Sequence, residues 1–125
     1  WYPWDQRPAP ASYVTQEGTS GAWRYRIWSN GRKECWLRTG LTAEIPYAEG
    51  NLYTSGIITY SYPITFTENP TLYIGVRSYY VQPIWGIPAA PATGLDSLKH
   101  AYLELLTVSK TESFSSDVYI YAAGI

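Results

Sequence analysis

The run from Ala22 to Trp36, AWRYRIWSNGRKECW, limits the possible folds of this chain more than any other segment. Trp23, Tyr25 and Ile27 alternate with Arg24 and Arg26, the period of a strand with one face toward a core. Ser29-Asn30-Gly31 breaks the run, and RKECWLRTGLTAEI follows from Arg32 to Ile45. Asn and Gly tolerate positive φ, so the break reads as a hairpin turn. Two registers compete. A two-residue loop pairs Ile27 with Glu34 and Arg26 with Cys35, setting apolar residues against polar ones. A three-residue loop with Gly31 left-handed pairs Arg26 with Glu34, Tyr25 with Cys35, Trp23 with Leu37 and Arg24 with Trp36. Its opposite-charge, apolar and Arg–ring pairs contribute roughly 0.2–1 kcal/mol each. The bulged turn is predicted.

Downstream the same period recurs. Asn51 to Tyr62 (NLYTSGIITYSY) is β-branched and aromatic, with Gly56 as a bulge or kink. A short ITFT segment lies between Pro63 and Asn69-Pro70. Thr71 to Val81 places Leu72, Ile74 and Val76 on one face. Pro83 to Gly94 reads as a proline-rich loop carrying Trp85. Leu98 to Val108 fits a helical stripe or a strand, and its all-β surroundings favour the strand. Asp117 to Ile125 alternates and closes the chain. Seven or eight antiparallel strands with hardly any helix predict one β-sandwich, jelly-roll-like in connection. The expected division is a Pro-rich linker over 1–16 and a sandwich domain over 17–125.

Composition excludes several classes. A chain of 125 residues has room for one domain and buries roughly two thirds of its unfolded surface. Its formal net charge of −1 gives no basic field for nucleic acid. No apolar run approaches the roughly 20 residues of a membrane helix, so no membrane insertion is expected. There is no methionine, even at position 1, which suggests a chain continuing upstream of Trp1. Cys35 is the single cysteine, so no internal disulfide or Cys-based metal site is expected, and it reads as a small buried hydrophobe. His100, the single histidine, reads as an ordinary core or surface residue. Glu34, Glu44, Glu49, Asp96 and Glu104 are scattered over separate elements, so a two-carboxylate hydrolase has no visible signature. No catalytic residue, metal or cofactor is expected.

Binding chemistry is better represented. Thirteen Tyr and six Trp stand against two Phe, and such rings pair an apolar face with a polar tip. Tyr79 and Tyr80 point to opposite faces of one strand. Trp85 sits among prolines that would hold it rigid, with ligand contact, subunit contact and core all open to it. Tyr62 lies near another strand end. These four are the candidate ligand-binding residues, most naturally for a sugar.

Residues 17–36 carry Glu17, Gly18, Thr19, Ser20, Gly21, Trp23, Tyr25, Arg26, Trp28, Ser29, Asn30, Gly31, Glu34, Cys35 and Trp36 at fixed spacing. This pattern resembles a hairpin in tail-fibre, minor-tail and receptor-binding proteins of phages and prophages of Gram-positive bacteria. Gly50-Asn51-Leu52-Tyr53, Tyr62-Pro63 and Tyr119 to Gly124 look similar too. The resemblance implies a non-enzymatic adhesive head at the distal tail of a virion, commonly a homotrimer behind a fibre stem. Its implied partner is a host cell-surface glycan or protein. A purely structural trimeric cap, a glycan hydrolase and a carbohydrate-binding module are the alternatives.

Overall fold

The computed structural model describes residues 12–79, 83–89 and 96–125. Ten strands form among them, paired antiparallel throughout and arranged in two facing sheets. The first sheet contains β1 (Val14–Ser20), β2 (Trp23–Trp28), β3 (Lys33–Ile45), β7 (Thr71–Ser78) and β10 (Thr111–Gly124), in the order β1-β2-β3-β10-β7. The second is built around β9 (His100–Thr107). On one side of it lie β5 (Leu52–Thr54) and β6 (Ile58–Ser61), with β4 (Tyr47–Glu49) outside β5. On the other side lies β8 (Ile84–Pro88). The all-β sandwich expected from the sequence is what forms, with ten strands among the described residues where seven or eight were expected.

The β2–β3 hairpin takes the bulged register: Trp23 faces Leu37, Arg24 Trp36, Tyr25 Cys35 and Arg26 Glu34. Gly31 adopts φ 87°, and its N–H donates to the Trp28 carbonyl at 3.0 Å. Asn30 Oδ1 accepts the Arg32 N–H at 3.0 Å, closing the turn from the side. A second turn, at Gly21 with φ 60°, joins β1 to β2 across only two residues. At Pro46 the chain leaves the first sheet and enters the second, where a residue without an N–H interrupts no ladder.

The core fills the space between the sheets. β3 contributes Cys35, Leu37 and Ile45, β10 contributes Phe114, Val118, Ile120 and Ala122, and β9 contributes Ala101, Leu103 and Leu105. Leu72, Ile74 and Val76 of β7 pack against this cluster on one shared face, as their spacing predicts. Phe66, in the segment between β6 and β7, is fully buried and stacks edge-on against Tyr62 at 5.2 Å. Tyr62 in turn meets Trp23 at 5.7 Å, so three rings close one end of the sandwich.

Three expectations change in detail. The Asn51–Tyr62 run divides into β5 and β6, because Gly56 at φ 76° turns the chain between them. Pro83 to Gly94 is not simply a loop, since Ile84–Pro88 pairs with Leu103–Thr107 as an edge strand. Prolines at its start and end are compatible with that edge position. Finally, Val14–Gln16, placed within the linker over 1–16, belongs to β1. That strand shows no alternation because it is an edge strand with most residues in water. Residues 1–11 of the linker lie outside the described residues.

Candidate functional site

Each sheet turns one face inward and one outward, and the two outward faces differ in chemistry. On the first sheet, register stacks the outward residues in rows across the strands. Arg24 of β2 faces Trp36 of β3, which faces Tyr121 of β10, which faces Tyr73 of β7. In the next row Arg38 faces Tyr119, which faces Gly75. In the third, Gly40 faces Asp117, which faces Arg77. Tyr73 and Tyr79 are each 60% exposed and Tyr119 is 43% exposed, so rings are displayed to solvent.

Polar bonds fix parts of this face. Glu34 accepts hydrogen bonds from Tyr121 Oη at 2.5 Å and Trp28 Nε1 at 3.3 Å, with the Arg26 guanidinium 3.9 Å away. Arg26 also reaches Glu17 at 3.5 Å and lies over the Trp36 ring at 5.2 Å. The outward Trp36 ring and the Trp28 indole N–H thus find partners within the chain. Tyr79 Oη donates to Asp117 Oδ2 at 2.6 Å, and that bond to a carboxylate raises the phenol pKa. The Arg77 guanidinium stands 5.5 Å from the Tyr79 ring. A shallow depression of about 360 Å³ opens here, lined by Arg38, Gly75, Arg77, Asp117 and Tyr119. A Cβ at Gly40 would meet nothing within 4 Å, so the position beside Asp117 is open.

The outward face of the second sheet is apolar along its β8 edge, while Thr54, Thr59, Ser61, His100 and Glu104 occupy other outward positions. Trp85 faces Leu106 and Ile87 faces Glu104 across the β8–β9 pair. Trp85 is 46% exposed and Ile87 40%. Glu104 takes a hydrogen bond from Thr54 Oγ1 at 2.9 Å.

Of the four residues singled out from sequence, the three that are described lie in separate places. Tyr79 is on the outward face of the first sheet and Trp85 on that of the second. Tyr62 packs into the core end, where burial raises its pKa, and borders a cleft of about 240 Å³ with Asn69, Pro70, His100 and Tyr102. Tyr80 lies outside the described residues. Tyr73, Tyr119, Arg38 and Arg77 were not singled out, although the inward positions of Leu72, Ile74 and Val76 already imply outward neighbours.

Cys35 is fully buried, and burial together with the adjacent Glu34 carboxylate pushes its thiol up to about 12. It matches the small buried hydrophobe expected. His100 is half-buried, with Nδ1 3.1 Å from the Asp96 carbonyl oxygen. Among the described residues no three His, Cys, Asp or Glu side chains group as a metal site, and no helix is long and apolar enough to cross a membrane. Glu34 and Glu104 sit on the outward faces of different sheets.

The fold defines a class, the antiparallel β-sandwich domain, and two solved tail-fibre structures share it. A Pseudomonas aeruginosa R1 pyocin fibre, comprising C-terminal residues 323–701, matches with a TM-score of 0.53 and 9% identity over 94% of this chain. This chain spans 28% of that one. An N-truncated R1-type pyocin tail fibre matches with a TM-score of 0.53 and 10% identity, covering 94% of this chain and 87% of the other. At such identities the likeness is one of fold. No family model matches the sequence, and no curated protein does.

Proposed function

We propose that this chain is the receptor-binding head domain of a phage-type tail fibre or tail-tip protein, adhesive and non-enzymatic, recognising a host cell-surface glycan. The observation that carries this reading is the exposed Tyr–Arg–Trp face of the first sheet, on a tail-fibre fold. Tyrosine and tryptophan rings stack on the C–H faces of sugars, and arginine, aspartate and phenol groups hydrogen-bond their hydroxyls. Long, continuously paired strands hold these groups at fixed spacing, which lowers the entropy lost on binding. The hairpin resembling Gram-positive phage proteins supports the same reading, which puts the domain at the distal tail of a virion.

Three copies would turn weak single-site binding into firm attachment, because later contacts become intramolecular. In this reading the apolar outward face around Trp85, Ile87 and Leu106 supplies the contact between subunits. That same face supports a second reading, a trimeric fibre cap with no host ligand.

A glycan array probed with the whole chain separates the two. Tyr73→Ala with Tyr119→Ala should abolish binding to the recognised glycan while leaving the melting temperature within a few degrees. Loss in Trp85→Ala alone would move the receptor face to the second sheet. No binding to any glycan or to host cells leaves the cap, and depolymerisation of a bound polysaccharide would make the protein a hydrolase.

A further inference from the structure

Among the described residues all five arginines, Arg24, Arg26, Arg32, Arg38 and Arg77, lie on or at the rim of one face, the outside of the first sheet. No lysine shares the outward rows. Among the described residues only Arg26 forms ion pairs, with Glu17 and Glu34. Arg24, Arg32, Arg38 and Arg77 have no carboxylate within salt-bridge distance among the described residues. Arg77 lies against the Tyr79 ring, and Arg32 stands near the Tyr121 hydroxyl.

The depression of about 360 Å³ sits where two of these unpaired arginines converge. Arg38 and Arg77 stand diagonally across β10, on either side of Tyr119 and Asp117. Gly75 and Gly40 leave the complementary diagonal open, so the guanidinium groups are reachable from above. Two guanidinium charges face one carboxylate, which is already engaged by Tyr79. The depression therefore carries an excess positive charge in a chain whose net charge is −1. Arginine, planar and permanently charged, matches the two oxygens of a carboxylate or phosphate in a way lysine does not.

Resting on the glycan-binding reading above, we infer that the depression binds an acidic saccharide. Its carboxylate or phosphate sits between Arg38 and Arg77, and its ring lies against Tyr119. Asp117 then accepts hydrogen bonds from the sugar hydroxyls. Beyond this notch the unpaired Arg24 continues the face toward β2, about 14 Å from β7 at roughly 4.8 Å per strand. A linear chain of acidic residues could follow it. The overall negative charge gives no long-range field to gather polyphosphates, so recognition is local and favours a glycan over nucleic acid.

The test measures binding of the whole chain to oligogalacturonate, to a glycerol-phosphate-substituted glycan, to neutral dextran and to single-stranded oligo-dT. The result expected is binding to one or both acidic glycans, with dextran and oligo-dT at least tenfold weaker. Preference between the two acidic probes says whether carboxylate or phosphate is the anion. Arg38→Gln with Arg77→Gln should weaken acidic binding at least tenfold and flatten its salt dependence, with thermal stability and sedimentation unchanged. Arg38→Lys with Arg77→Lys, which keeps charge but loses the planar fork, should fall between and still fold if the Gln pair does not. Equal binding of dextran, equal binding of oligo-dT, or unchanged affinity in both pairs overturns the inference. So does a changed oligomeric state in the Gln pair, which would make the notch a subunit contact. Binding of neutral glycans only would sink this inference and leave the receptor-binding reading standing. Failure to adsorb to any glycan or host cell would remove that reading as well.

Discussion

The two outward faces show how one sandwich can carry two chemistries. The first sheet is made from long strands, β3 of 13 residues and β10 of 14, paired along nearly their whole length. Its outward positions hold Arg, Tyr and Trp, whose long side chains cover the sheet while their polar ends reach water. The second sheet is assembled from short pieces around β9, and its outward positions at the β8 edge are Trp85, Leu106 and Ile87. Both sheets bury aliphatic residues inward. The difference lies wholly in what the alternate positions carry, so the same strand period specifies a core on one side and a surface character on the other.

The comparison can be broken by substitution, and the largest effect is expected where β8 packs against β7. A Cβ on Gly86 of β8 would lie 2.5 Å from Val76 Cγ2 and 2.8 Å from Ile74 Cγ2. Gly86→Val should therefore force β8 away from β7 and cost about 3 kcal/mol, read from the denaturation midpoint. An unchanged midpoint would mean the second sheet tolerates displacement that the interdigitated core should not. On the first sheet, Glu34→Ala removes the acceptor of Tyr121 and Trp28 and should cost about 2 kcal/mol. Glu34→Gln, which keeps an acceptor, should cost less.

Next comes the association contrast. Trp85→Ser on the second sheet should weaken self-association at least tenfold in sedimentation, equivalent to about 1.4 kcal/mol, while Tyr119→Ala should leave it unchanged. The reverse result would exchange the roles assigned to the two faces.

Alkaline pH gives a further measurement. The Cys35 thiol titrates near 12 when folded against an ordinary value of 9.0, so the unfolded chain loses that proton first. Its contribution to stability is whole below about pH 9 and is lost as pH rises toward 12. Tyr60, Tyr62 and Tyr121, raised chiefly by burial, act in the same direction. Cys35→Ala should flatten the alkaline limb of the stability profile, and native protein at pH 8 should resist thiol reagents until it unfolds. The smallest effect belongs to Tyr79→Phe, whose hydrogen bond to Asp117 is exposed; its thermal midpoint should not move measurably.

Much of this molecule is legible in its residues, but unevenly. The β2–β3 register follows from pairing charges, rings and aliphatics across one short turn, and the structure reproduces it residue for residue. The strand over His100–Thr107 was distinguishable from a helix only by its neighbours, and β1 and β8 were obscured because edge strands need neither alternation nor freedom from proline. The candidate face was legible only in fragments. Tyr119, Tyr73, Arg38 and Arg77 each occupy a position whose outward direction the strand period gives.

The sequence alone determined which residues pair within a hairpin and which alternate positions face a core, because these depend on contacts a few residues apart. Only the tertiary structure decided that β10 inserts between β3 and β7, bringing Arg38, Arg77 and Tyr119 around one depression. It also separated Tyr79 from Trp85 onto opposite outward faces. Strand order is set by how the apolar faces bury one another across long stretches of chain, and no local pattern of residues encodes that choice.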